Sequence, residues 1–314
     1  MPASPSPREL REAIAAGLGF LARTQRGDGL WHGFMLVPGT STDWITAHVA
    51  YVLEELSQAR ALRERAADAL LAHARGRPGW GYNLRVGIDS DSSAQALIVL
   101  HGTGRAIAPE WVARLLDARE EDGGFATFLP SAPGGHAYGW WEMPHADVTL
   151  IALDALERLG GHEQVCEGSR AWLESRAVEG VLPAYWWTSP AYSLWAQARA
   201  GFDPPAGARV ARGLLARERR PVYLAMLIAA ALHGEGSSQQ LDAAVARLLH
   251  ARHEDGSWPC DPCLRTTDPA HAGGFDAPGR VYADRFRACS TAHAVAALAR
   301  AHDARERGEP PAPG

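Results

Sequence analysis

The chain has 314 residues, enough for one large domain or two ordinary ones, and 46% of them are apolar, so a sizeable core can be buried. A net charge of -5 with no basic block argues against nucleic acid as a main partner; all 31 basic residues are arginine. No run of 18 apolar residues and no apolar stretch after the N-terminus is present, and four cysteines make no disulfide framework, so the expected setting is cytoplasmic, without a membrane span, with peripheral association left open.

In chain order, Pro7 precedes an amphipathic helix over 8–24, and Ser41 to Trp44 opens a second that reaches about residue 57. Helices follow at 60–75 and about 91–102, then 109–120 and 145–159. The rest lie at about 164–177 and 189–200, 206–217 and 221–233, and 238–252 and 289–303. First members of these six pairs are Arg-rich with a wet face; second members, as in VYLAMLIAAAL, are apolar nearly all round. Six wet helices outside six buried ones predict an all-α fold, a single (α/α)6 toroid over 1–303 with a disordered tail at 304–314.

A phrase recurs five times: a helical stretch ending in a glycine-rich turn with an aromatic. The first holds Gly17, Phe20, Leu21, Gln25, Gly29 and Trp31; others end on Gly79 and Trp80, Gly123 and Phe125, and Gly256 and Trp258, and WLESRAVEGVLPAYW is a looser copy. Such repetition means one supersecondary unit stacked on itself. The glycine is expected to cap the outer helix in the left-handed region, and the aromatic to pack in the seam between outer helices. These aromatics are therefore structural.

Chemistry is expected where inner helices begin. Asp43 and His48, Asp89 and Asp91, and His145 and Asp147 stand there, although an acid at a helix start also serves as a cap. Aromatics gather just ahead of the same starts, in HAYGWWEMPHAD (136–147) and LPAYWWTSPAY (182–192).

The first repeat resembles the QW motif of squalene-hopene cyclases and other class II terpene cyclases, and protein prenyltransferase β subunits share the toroid. Within GIDSDSSAQAL, Asp89, Asp91, Ser92, Ser93 and Ala94 resemble the D-x-D-D-T-A signature of class II cyclases. The resemblance implies that Asp91 is the acid that protonates an alkene or epoxide, with Asp89 supporting it and Ser92 standing where the family has a third Asp. It implies an apolar isoprenoid substrate and no cofactor, and the Ala- and Gly-rich composition with arginine in place of lysine points to a bacterial biosynthetic pathway. Candidate substrate contacts are Asp43, Trp44, His48, Trp141, His145, Asp147, Trp187, Tyr192 and Tyr223, with Arg220 and Arg285 for an anionic group, which would bring Mg2+ if it were a diphosphate. With room for one toroid only, either the cavity is small or a partner protein or second copy closes it.

The C-terminal quarter supports a rival reading. Cys260 and Cys263 form C-x2-C, and Cys289 lies one helical turn before His293, a pattern that can hold Zn2+ with His271 or Asp284 as a substitute ligand. That would make the chain a zinc-dependent prenyl- or thiol-transfer enzyme; a third reading is a non-catalytic binding module for an apolar ligand. The long connection from Trp258 to about Arg287 leads into the last inner helix and is placed to cover the cavity mouth.

Overall fold

Helix starts are written into the chain by caps and prolines. Ser6 and Glu9 form a capping box: the Glu9 N–H donates to Ser6 Oγ at 3.3 Å and the Ser6 N–H to Glu9 Oε2 at 2.7 Å. Pro7, Pro109, Pro190, Pro204 and Pro221 each occupy a first helical position, where the missing N–H costs nothing. The structure, a computed structural model, describes residues 4–129, 138–234, 238–272 and 277–307. Residues 136 and 137 of the first aromatic cluster, and 308–314 of the expected tail, lie outside that set.

Among the described residues the helices come as six pairs. They are α1 (Pro7–Thr24) and α2 (Asp43–Val52), α3 (Arg60–His73) and α4 (Ser90–Gly102), and α5 (Pro109–Leu116) and α6 (Ala146–Leu159). The others are α7 (Glu163–Arg176) and α8 (Pro190–Arg199), α9 (Pro204–Leu215) and α10 (Pro221–Ala231), and α11 (Gln239–His250) and α12 (Ala288–Glu306). Every residue of α2 and α10 is buried, whereas α5 buries only Leu115. The even-numbered helices pack in sequence, and α12 returns to α2, so the inner ring is closed. This is the all-α toroid expected from the alternation of wet and apolar helices. Helix α12 runs to Glu306, three residues past the expected boundary at 303.

The aromatic of each turn is tied to its own outer helix and to the next inner one. Trp31, Trp80 and Trp258 are fully buried, and each indole N–H donates to the carbonyl ten residues back: Leu21 at 2.9 Å, Leu70 at 2.9 Å and Leu248 at 2.7 Å. The backbone N–H groups of Trp31, Trp80, Phe125 and Trp258 are accepted by hydroxyls of Thr46, Ser93, Thr149 and Thr291 on the following inner helices. The glycines do not cap the helices as expected. Helix α1 ends with Gln25 at φ -69°, and α11 with Ala251 at φ -76°. Gly29 and Gly256, both at φ +90°, come later; a Cβ there would meet Arg65 O at 2.5 Å and Ala16 O at 2.4 Å. They let the turn lie flat on the neighbouring outer helix, and at Gly256 this seats the last repeat on α1.

Two ends of the ring differ. At the C-terminal ends of the inner helices, Glu54 accepts from Arg158 and Arg199 (2.5 Å each), and Glu55 accepts from Arg199 (2.9 Å) and Arg300 (2.5 Å). Tyr51 donates to Asp154 at 2.5 Å beside them. These cations sit where the helix dipoles favour them. At the other end two antiparallel hairpins, β1 (Met35–Leu36) with β2 (Gly39–Thr40) and β3 (Leu264–Thr267) with β4 (Gly279–Tyr282), flank the inner-helix starts. The second is formed by the long connection before α12. It also joins the segment ahead of α8, where Trp187 bridges Leu264 and the Thr188 N–H donates to Cys263 O at 3.2 Å.

Candidate active site

A cavity of about 390 Å3 opens at the N-terminal ends of α2, α4, α6 and α8, bounded by the two hairpins. Its wall is largely apolar and aromatic: Trp44, Phe128, Trp141, Trp186, Trp187 and Tyr192 face it, with Leu36, Val37 and Leu264 from the hairpins. Exposed apolar side chains continue from it outwards, among them Met35, Val37 and Val281 on the hairpins. Trp187 stacks on Tyr192 (4.3 Å between centroids, 10° between planes), and Trp44 stands edge-on to Phe34 at 5.9 Å.

Two carboxyls of one turn meet this wall. Asp89 is the N-cap of α4, accepting from the Ser92 N–H at 2.7 Å and the Ser92 hydroxyl at 2.8 Å. Asp91, in the first turn, shows part of its surface to the cavity and accepts on Oδ2 from the Trp44 indole N–H at 2.5 Å. Burial pushes Asp91 up to about 7, and the nearby Asp147 adds to this; the Trp44 bond acts the other way. Burial and then the charge of Asp91 also raise Asp89 to about 7, against the two Ser92 donors. Ser92, standing where the resembling signature has an acid, thus bonds to Asp89. The capping role falls on Asp89, which leaves Asp91 free of one.

Asp147, at the start of α6, is a third acid on the same wall. Its Oδ2 accepts from the N–H groups of Tyr185 (2.9 Å) and Trp186 (3.0 Å), while the buried Oδ1 has no partner. Burial raises it to about 6, opposed by those two amides and by the first-turn amides of Asp147 and Val148.

The remaining expected contacts lie off the cavity wall. Asp43 faces α3 and accepts from His73 Nδ1 at 2.8 Å. His48 lies one turn deeper than Trp44, stacked on it at 4.8 Å, with Nδ1 on Gln95 Oε1 (2.8 Å) and Nε2 on His293 Nε2 (2.9 Å). Burial lowers it to about 4, so it is neutral. His145 stacks on Tyr185 at 3.7 Å and bonds to Trp140 O at 2.8 Å. The Tyr223 hydroxyl donates to Cys263 O at 2.8 Å, and Arg220 lies over its ring while pairing with Glu218. Arg285 is exposed.

The four expected zinc ligands divide. Cys260 and Cys263 sulfurs are 3.7 Å apart, but among the described residues no third His, Cys, Asp or Glu groups with them. Cys289 and His293 come together through their shared helix face, and the group with them is His48, its ligand atom within 4.8 Å of theirs. Asp284 instead caps α12, accepting from the Cys289 N–H at 2.7 Å. All four cysteines are free thiols.

Several cavity residues carried no periodic signal. Tyr82, Thr127, Arg265, Thr266 and Tyr282 come from loops or short strands. Arg265 is buried there, donating to the carbonyls of Tyr185 (2.8 Å) and Ala277 (3.2 Å). The sequence does offer a cue for it: Arg265 clusters with Arg280, Arg285 and Arg287 in the connection before α12, a group able to pair with an anion.

No family model matches the chain, and no curated protein is similar to it. Solved structures are. A protein from Actinoplanes is 25% identical, with a TM-score of 0.81 over 93% of this chain and 99% of that one. The type II terpene cyclase MstE from Scytonema, in its apo form, gives a TM-score of 0.83 at 19% identity, covering 95% and 99%. A variant of that enzyme has been solved with geranylgeranyl dihydroxybenzoate, its substrate, and matches with a TM-score of 0.81 at 20% identity, covering 95% and 98%. The chain therefore has the toroid fold of a type II terpene cyclase, at nearly the full length of that enzyme.

Proposed function

We propose that the chain cyclises an isoprenoid by proton initiation, with Asp91 as the acid. The observation that carries this reading is the setting of Asp91: a carboxyl raised to about 7, open to an aromatic cavity, and bonded to one indole N–H. Protonating an alkene needs a carboxyl that keeps its proton near neutral pH, and a donor that steadies the carboxylate once the proton has left. Burial supplies the first and Trp44 the second. The carbocation then formed meets the faces of Trp44, Trp187 and Tyr192, each worth about 0.5–2 kcal/mol as a cation–π contact. The apolar wall holds few groups that would capture the cation, so ring closure outpaces trapping. Proton initiation itself draws on no cofactor.

The fold likeness to MstE supports the same substrate class, and geranylgeranyl dihydroxybenzoate is the probe to use first. Asp91→Asn keeps size and cavity shape but has no proton to give. Its turnover should fall at least about a hundredfold, with the melting temperature at neutral pH no lower than that of the wild type. Undiminished conversion by this variant would end the reading.

A further inference from the structure

We propose that Asp147 is the carboxylate that balances the positive charge of the cyclising substrate and takes the proton that ends the reaction; this rests on the reading of Asp91 as the acid. Both residues line one cavity, from adjacent inner helices α4 and α6. The regular hydrogen bonds of Asp147 go to the Tyr185 and Trp186 amides, which hold Oδ2 as a carboxylate oxygen. Oδ1 is buried and makes no regular hydrogen bond, although the first-turn amides of Asp147 and Val148 also favour the charged carboxyl. Buried acceptors are ordinarily paired. A cation in the cavity is the partner this oxygen lacks. Arg265, the basic residue on the same wall, already donates to backbone carbonyls of the loop that Asp147 holds by its amides.

The steps balance. Asp91 delivers its proton to the terminal alkene carbon; the alkene pair forms the new C–H bond and leaves a tertiary cation. Ring closures move that charge along the chain. A C–H bond beside the final cation then gives its electron pair to a new C=C and its proton to Asp147. Substrate and product are isomers, and the proton returns to Asp91 through solvent as the product leaves.

The test separates this role from initiation. Dodecyldimethylamine, kept monomeric and protonated near neutral pH, is a lipophilic cation; dodecanol is its neutral counterpart. By calorimetry the wild type should prefer the amine, and Asp147→Asn should weaken amine binding about tenfold while leaving dodecanol unchanged. The Asn side chain can still accept from the Tyr185 and Trp186 amides, so the fold is kept. Amine affinity untouched by Asp147→Asn, or no preference for the amine in the wild type, overturns the proposal. Products give the second readout. Asp147→Asn should still consume substrate but shift its products toward a water-captured alcohol or another alkene isomer, whereas loss of conversion in Asp91→Asn reports on initiation alone.

Discussion

The Trp44 indole N–H donates to Asp91 Oδ2 at 2.5 Å, joining the first turns of neighbouring inner helices α2 and α4. It is the shortest polar contact the cavity carboxyls make, and it favours the charged form of Asp91. Trp44→Phe keeps an aromatic face and removes the donor. A hydrogen bond to a charged group contributes about 1.5–3 kcal/mol, so initiation should slow by about ten- to a hundredfold. The check is single-turnover rate with the geranylgeranyl probe; a rate equal to the wild type would show the donor to be idle.

The pH dependence has a defined sign. Burial, foremost, raises Asp89 and Asp91 to about 7 and Asp147 to about 6. Unfolded Asp titrates near 4, so between about pH 4 and pH 7 the folded state binds more protons. Their contribution to stability is complete below about pH 4 and is lost as pH rises to about 7. Asp91→Asn should make that loss smaller by on the order of 1–2 kcal/mol, discounted for the cavity-facing part of the side chain. Melting temperature against pH measures it. Activity should decline above about pH 7 as Asp91 loses its proton.

At the far end of the ring, Glu54 accepts from Arg158 and Arg199, the latter almost fully buried. Glu54→Gln removes the charge and leaves Arg158 with Asp154 and Arg199 with Glu55. Loss of one member of a buried pair costs about 3–5 kcal/mol, and the remaining carboxylates bring this down to about 1–3 kcal/mol. Urea unfolding should show it, with cavity binding unaffected because the site lies at the opposite helix ends.

Gly256→Ala places a Cβ 2.4 Å from Ala16 O, at φ +90°. The turn must lift from α1, at a cost of about 2 kcal/mol or more. The loss should be read in thermal unfolding, with Gly213→Ala, in the outer helix α9 and with open space around it, as the control.

The toroid was legible because wetness alternates between successive helices, and twelve apolar patterns sit where the helices form. The neighbourhood of the cavity was legible for the same reason, since inner-helix starts share one end: Asp91, Asp147, Trp44, Trp141, Trp187 and Tyr192 all reach it. Helical phase decided the rest. Asp43 and Trp44 are adjacent, yet one faces α3 and the other the cavity. His48 shares the face of Trp44 but lies a turn below it, where Gln95 and His293 satisfy both nitrogens. The zinc pattern read from spacing split because only Cys289 and His293 share a helix; Cys260 and Cys263 belong to the loop entering β3. Arg265 and Tyr282 come from paired strands four residues long, too short for periodicity to register.

The ion pairs around Glu54 and Glu55 tie α6, α8 and α12 together on the side away from the cavity. The cavity opens at the other end, bounded by the hairpins. On the proposed reading a flexible chain goes in and a rigid polycycle comes out, so the strands β3 and β4 are where a variant with faster or slower release would be sought.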